Sequence, residues 1–370
     1  MEMNGNNLAK SKKERLVYLD NLKVALILLV IAHHAGQAYG YQNDWPILNS
    51  QRSIILEPFF DVNGAFFMGF FFFISAYFFP ASMDGRGVFS FLKSRFFRLG
   101  IPFIFIVIVV FGPITYFVDS IDMPFGKYML LEYIGKGDFE VGHLWFIALL
   151  LFFAFCYSII RLINLKLRMN SQKTLVNPPG NKSLLMLSII LIILNYVIRI
   201  WFPIGRWIDI FSFMPVEMGR LPQYIIFFIL GIFAYRHNWI NIIPTKTGVT
   251  WFIIGIIAAL IHYINLLIGL FTFDIWPILE GFIGVGLIVG LLVISREYWN
   301  KRGKFMKFMS DNAFTVYLIH IFIIYILQFI IEDMLFGPLD KFFIVFFIGS
   351  LLSFILSYCI RKIPFLKKFL

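Results

Sequence analysis

Apolar residues do not alternate with polar ones along this chain. They gather into long runs separated by short charged stretches. The runs lie at about 17–39, 59–79, 99–118, 143–163, 184–203, 221–236, 249–270, 277–295, 313–331 and 342–360, and most are near the ~20 residues that an α-helix needs to cross a bilayer. A surface helix of a soluble protein would show one apolar stripe and one charged face. These runs are apolar all round, so the pattern predicts an all-α, polytopic integral membrane helix bundle of about ten transmembrane helices. The sixth run is the shortest.

The charges between the runs predict an orientation. With the amino terminus inside, the inner segments hold 24 Lys and Arg residues, among them Arg86, Lys93, Arg95, Arg98, Arg161 and Arg236. The outer segments hold seven: Arg52, Lys127, Lys136, Arg199, Arg206, Arg220 and Lys341; Lys23 lies within the first run and completes the 32. Cations accumulate on the cytoplasmic side of membrane proteins, so both termini are expected in the cytoplasm. The expected organisation is a basic cytoplasmic N-terminus at 1–15, a transmembrane domain at 16–363 and a short cytoplasmic tail at 364–370. The basic start, the first apolar run and Gly36-Gln37-Ala38 also resemble a signal peptide with a cleavage site. The length of the run and the nine that follow favour its retention as a first span.

Composition agrees. Hydrophobic residues make up 60% of the chain, charged residues 14%, and Phe alone 47 positions, more apolar surface than one soluble core could hide. The net charge of +11 sits in clusters between spans, as topology signals do, and does not point to nucleic acid. Cys156 and Cys359 are too few and too far apart for a disulfide framework and read as small apolar side chains. Motifs of phosphate-binding loops, zinc hydrolases and serine hydrolases are absent.

Candidate chemistry begins with His34. Ionisable groups inside hydrocarbon are costly and seldom kept without a use. Lys23 stands eleven residues earlier, about three turns or roughly 16 Å along one helix face. An imidazole titrates near neutrality and can take a proton from a hydroxyl. His33 points about 100° away from His34, so one of the two lines a given cavity. Phe71 to Tyr77 encloses Ser75-Ala76, a small pair that permits close helix approach. Arg95 and Arg98 are three apart, expected on one face at the inner edge of the third span, where paired guanidiniums suit phosphate or merely anchor the helix. His143-Leu144-Trp145-Phe146 opens the fourth span, with Trp145 either an interface anchor or a site residue and His143 able to share the cavity of His34. Ser310 or Asp311 is expected to cap the ninth span, which carries His320, a third intramembrane histidine.

In order along the chain, these pieces resemble the membrane acyltransferase-3 superfamily, whose members O-acylate bacterial glycans. Leu19-Asp20-Asn21-Leu22-Lys23 with His34 is similar to the family's Leu-Asp-x-Leu-Arg element and its later His. Phe72 to Tyr77 is similar to an aromatic run into Ser-Gly-Phe/Tyr; Arg95, Arg98, Leu99 and Pro102 to Arg-x-x-Arg-Leu-x-x-Pro; Leu144-Trp145-Phe146 to Leu-Trp-Phe; and Ser310 through His320 to a late Ser…Tyr-Leu-x-His element. Phe70 to Ser82, Arg86-Gly87 and Gly231 to Arg236 bring it nearest to the glucan-biosynthesis succinyltransferase branch. Lys23 stands where the family has Arg, which keeps the charge and loses the planar fork; Ala76 stands where it has Gly.

The resemblance implies a multi-pass enzyme of the bacterial plasma membrane that moves an acyl group, acetyl or succinyl, from cytoplasmic acyl-CoA to a hydroxyl of an extracytoplasmic glycan. It implies His34 as the catalytic group, with Lys23, Arg95, Arg98, Trp145 and His320 binding substrate or donor. The expected partners are acyl-CoA, a glycan or sugar acceptor and the lipid bilayer. No tightly bound cofactor or metal is expected. The alternative is a transporter or flippase of a lipid-linked or glycan substrate, which would explain intramembrane histidines but not a basic pair at one rim. It should often show broken helices in matching halves, and no such symmetry is visible.

Overall fold

The computed structural model describes residues 16–41, 45–164 and 176–369. Among them are ten helices long and apolar enough to cross a membrane: α1 (Val17–Gln37), α2 (Ile54–Arg86), α3 (Val88–Val118), α4 (Gly142–Ile163), α5 (Asn181–Arg199), α6 (Met218–Arg236), α7 (Thr245–Ile268), α8 (Trp276–Tyr298), α9 (Lys304–Ile330) and α10 (Pro338–Arg361). The all-α bundle expected from the apolar runs is present. Residues 1–15 of the expected basic N-terminus lie outside the described residues.

Local chemistry explains several helix ends. Pro58, Pro222, Pro277 and Pro338 stand in first turns, where a missing N–H costs nothing and the fixed φ suits the helix. α7 stops at Gly269, whose φ of 65° lets its N–H turn back to the Asn265 carbonyl. Ser310 and Asp311 do not cap α9. The helix starts at Lys304 after the extended Gly303, so both residues lie inside it, and Asp311 accepts an ion pair from Lys307 at 2.6 Å. Cys359 is exposed on α10, not packed inside.

α2 and α8 form the centre: 78% of the most apolar stretch of each is buried, against 22% for α5. α8 packs on α1, α2, α5 and α7. Its contact with α7 is close because glycines meet. A Cβ at Gly286 would lie 2.8 Å from the Gly255 Cα, so the two backbones approach as only small residues permit.

Two features depart from the sequence reading. A small antiparallel hairpin, β1 (Trp207–Ile210) with β2 (Met214–Glu217), stands between α5 and α6, with Trp207 opposite Glu217. Arg199 and Arg220, counted above as outer-loop cations, are instead buried in an ion cluster. Arg199 donates to both oxygens of Glu280 at 2.6 and 2.9 Å; Arg220 reaches Glu280 at 3.1 Å and Glu217 at 3.1 Å. Glu280 is 1% exposed. The cluster ties α5, the start of α6 and α8 together where hydrocarbon would otherwise face four charges.

Candidate active site

His34 lies one turn before the end of α1, where the last carbonyls of a helix lack partners. Gln328 of α9 supplies them. Its Nε2 donates to the His34 and Ala35 carbonyls, both at 3.2 Å, while its Oε1 accepts the Trp45 indole N–H at 2.8 Å. The indole donor fixes which end of the amide is oxygen. Trp45 in turn stacks on the His34 imidazole, with centroids 5.4 Å apart and planes 18° apart. Helix end, amide and indole thus form one brace around the ring.

The ring's own bonding sets its tautomer. His34 Nδ1 stands 2.8 Å from Gln37 Oε1; with that oxygen accepting, Nδ1 carries the proton and Nε2 keeps its lone pair. The ring is flanked by Trp45 and His320 and is half-buried. Replacing Gln37 with Leu frees the ring to flip and to change tautomer. We expect the Nδ1-protonated form to lose its dominance in that variant, and Gln37→Asn to restore part of it, read from the histidine ring nitrogen chemical shifts.

His320 and His143 complete a cluster. Ring centroids of His34 and His320 are 5.3 Å apart, and those of His143 and His320 5.0 Å. The Tyr317 carbonyl accepts from His320 Nδ1 at 2.8 Å and from His143 Nε2 at 3.0 Å. The Tyr317 hydroxyl donates back to the His143 carbonyl at 2.6 Å. These bonds leave His320 Nε2 and His143 Nδ1 as buried lone pairs with no donor facing them. α1, α4 and α9 therefore bring together three imidazoles, each with one nitrogen committed and one spare. The sequence suggested that His143 could share a cavity with His34, but it gave no sign of the roles of Gln37, Trp45 and Gln328. His33 turns away and packs on Phe60 and Phe67, with ring centroids 5.2 Å from each.

The basic residues gather at the opposite end of α1. Lys23 Nζ lies 4.5 Å from the Phe78 ring centroid and 3.8 Å from Asp20. The next ring, Phe79, carries the Arg95 guanidinium at 4.6 Å, and Phe91 meets it at 5.2 Å. Consecutive aromatics of α2 thus bring Lys23 and Arg95 to one rim. Arg86, Arg95 and Arg98 are close enough to repel, and among the described residues no carboxylate pairs with Arg95 or Arg98. By contrast Asp84 binds Arg161 at 2.7 Å and Arg236 at 2.5 Å, joining α2, α4 and α6. The chain from Phe96 to Gly100 forms a π-helical turn, so Arg95 is half-buried on its rings while Arg98 is exposed.

Trp145 stands apart from both groups. Its ring lies 5.4 Å from Trp207 of the hairpin and 5.5 Å from Tyr224. Phe146 and Tyr317, 6.1 Å apart, intervene between it and His320.

A spanning bundle with buried imidazoles at one depth and unpaired guanidiniums at one rim narrows the chemistry but does not name it. A family model described as an acyltransferase domain, acyltransferase 3, matches residues 16–362. The chain belongs to the acyltransferase-3 family. It is a multi-pass membrane acyltransferase, and its helices account for the span of that match. Neither curated proteins nor solved structures yield a match to the chain.

Proposed function

We propose that this acyltransferase carries an acyl group, acetyl or succinyl, from a cytoplasmic acyl-CoA to a hydroxyl of an extracytoplasmic glycan, with His34 as the catalytic base. The observation that carries the reading is the braced imidazole of His34, with Nδ1 bound by Gln37 and Nε2 left free beside two further unbonded lone pairs. In the proposed reaction His34 Nε2 takes the proton of the acceptor hydroxyl as its oxygen attacks the thioester carbonyl. The tetrahedral intermediate then collapses, the carbon–sulfur bond breaks, and the leaving thiolate takes the proton from the imidazolium. The proton gained by His34 is the one lost to sulfur, so no other acid is needed. His320 Nε2 and His143 Nδ1 would accept hydrogen bonds from the acceptor's remaining hydroxyls or from water.

Arg95, Arg98 and Lys23 would meet the donor's phosphates at the basic rim. A guanidinium without a carboxylate partner is available for bidentate contact with phosphate, and Arg95 is held in place by two rings. About 16 Å of α1 separates Lys23 from His34, a distance that a long thin pantetheine arm can thread. Trp145, near the hairpin, would serve the acceptor side. The basic rim would then be cytoplasmic, as the distribution of cations favours.

The test is acyl transfer by the purified protein, with mass spectrometry of surface glycans from cells with and without it. Donor binding gives a second expected result. Arg95→Ala should raise the donor KM about tenfold or more while leaving turnover nearly unchanged, because the guanidinium grips phosphates far from the reacting bond. Arg95→Lys should recover only part of the loss. A fall in turnover with unchanged KM would place Arg95 outside donor binding.

A further inference from the structure

A trench of 560 Å³ runs between α3 and α4, and every side chain lining it is apolar. Gly100 and Ile104 form one wall, Ala148 and Phe152 the other, and Phe211 and Phe213 of the hairpin close its far end. Both walls are membrane-spanning, so what fills the trench in a bilayer is hydrocarbon. The volume falls within the ~300–1,000 Å³ of ordinary small-molecule sites and exceeds what loose helix packing leaves.

The far end is built with some effort. Phe211 and Ser212 both take left-handed backbone conformations, φ 57° and 61°, in the three-residue loop Phe211–Phe213 that joins β1 to β2, a conformation that favours glycine. That turn turns Phe211 and Phe213 onto the trench, their rings 6.1 Å apart and nearly parallel. The same hairpin starts at Trp207, which is 42% exposed and meets Trp145. Trp145 lies one helical turn before Ala148 of the trench wall. An apolar channel and an accessible aromatic face therefore adjoin, one inside the membrane and one at its surface.

Charge at this end selects the head group. Phe139 lines the trench between Asp138 and Glu140, and Glu140 lies within electrostatic reach of Asp209 of the hairpin. Burial holds the Glu140 carboxyl above the usual carboxylate range, helped by the negative charges of Asp209, Asp119 and Asp138 and opposed by the Gly142 N–H. A phosphate placed here would meet like charge.

We propose that the trench binds one hydrocarbon chain of a lipid with an uncharged sugar head, and that the sugar stands against Trp207 and Trp145. This rests on the reading of a hydroxyl-bearing glycan acceptor and narrows it: the acceptor is membrane-borne and carries no phosphate at its head.

The test reads binding, so a failure of acyl transfer cannot imitate its failure. The full chain is placed in phosphatidylcholine nanodiscs holding equal amounts of a diglucosyl diacylglycerol and a phosphatidylglycerol with the same chains. Native mass spectrometry then measures which lipid the released protein retains. We expect roughly tenfold enrichment of the sugar lipid, since like charge at this rim should cost the phosphate about that much. Ile104→Trp, placed on the exposed wall, should abolish the retention, and Phe213→Ala, which opens the cap without filling the trench, should weaken it. Equal retention of the two lipids would reduce the trench to an annular surface and overturn the proposal. Preference for phosphatidylglycerol, or retention unchanged in both variants, would overturn it as well.

Discussion

His34→Ala is expected to insert and fold in the membrane and to lose acyl transfer, with a rate lower by about 10²–10⁴. The size follows from what is removed. General-base catalysis by a positioned group contributes that range, or roughly 3–5 kcal/mol of barrier at 1.36 kcal/mol per decade. The donor thioester stays activated and both substrates can still bind, so loss of proton transfer alone sets the deficit. Folding should survive because the brace does not depend on the imidazole: Gln328 holds backbone carbonyls of α1, which alanine retains. His34→Gln tests the distinction further. Its amide fills similar space and can hydrogen-bond, but it cannot take up a proton at neutral pH, so it should be as inactive as alanine.

The largest structural effect is expected at Glu280. Glu280→Ala removes a carboxylate that takes four hydrogen bonds, two from Arg199 and one each from Arg220 and Asn195, and leaves the two guanidiniums beside too little negative charge. Breaking a buried ion pair from one side costs about 3–5 kcal/mol, because the orphaned partner remains. Arg220 keeps Glu217, so Arg199 bears most of the loss. The variant should unfold at clearly lower temperature in detergent, measured by size-exclusion after stepwise heating. Glu280→Leu combined with Arg199→Leu should be more stable than Glu280→Ala alone, since charge and countercharge leave together. If the double variant were no better than the single one, the cluster would be a solvated ornament and not a fastening of α5 to α8.

The spans were legible because hydrocarbon demands about twenty apolar residues whatever the neighbours do. The candidate base was legible for a similar reason: a histidine eleven residues beyond Lys23 in an otherwise uncharged run stands out. What escaped was everything that depends on meeting across the bundle. Arg199 and Arg220 sit at run edges, where counting cations assigns them to loops; Glu280, the carboxylate they share, lies in α8 and cannot be paired with them from order alone. The hairpin escaped because its strands have four residues each and its three-residue loop, Phe211–Phe213, carries no Gly, Asn or Pro. The π-helical turn at Phe96–Gly100 was also invisible, because an apolar run with a 3.6-residue period reads as plain α-helix. Gln37 and Gln328 looked like ordinary polar residues near helix ends. Their value appears only once Nδ1 of His34 and the last carbonyls of α1 are seen to need partners.

The central claim joins two ends of α1: a donor entering past Arg95 is consumed at His34. It is tested most directly in proteoliposomes of known orientation, by supplying an acyl-CoA to one side at a time and following release of free thiol in the presence of a sugar acceptor. The account predicts thiol release only when the donor is on the Arg95 side, and none above background from His34→Ala on either side. Release at the wild-type rate by His34→Ala, or from donor given only on the Trp207 side, would contradict it.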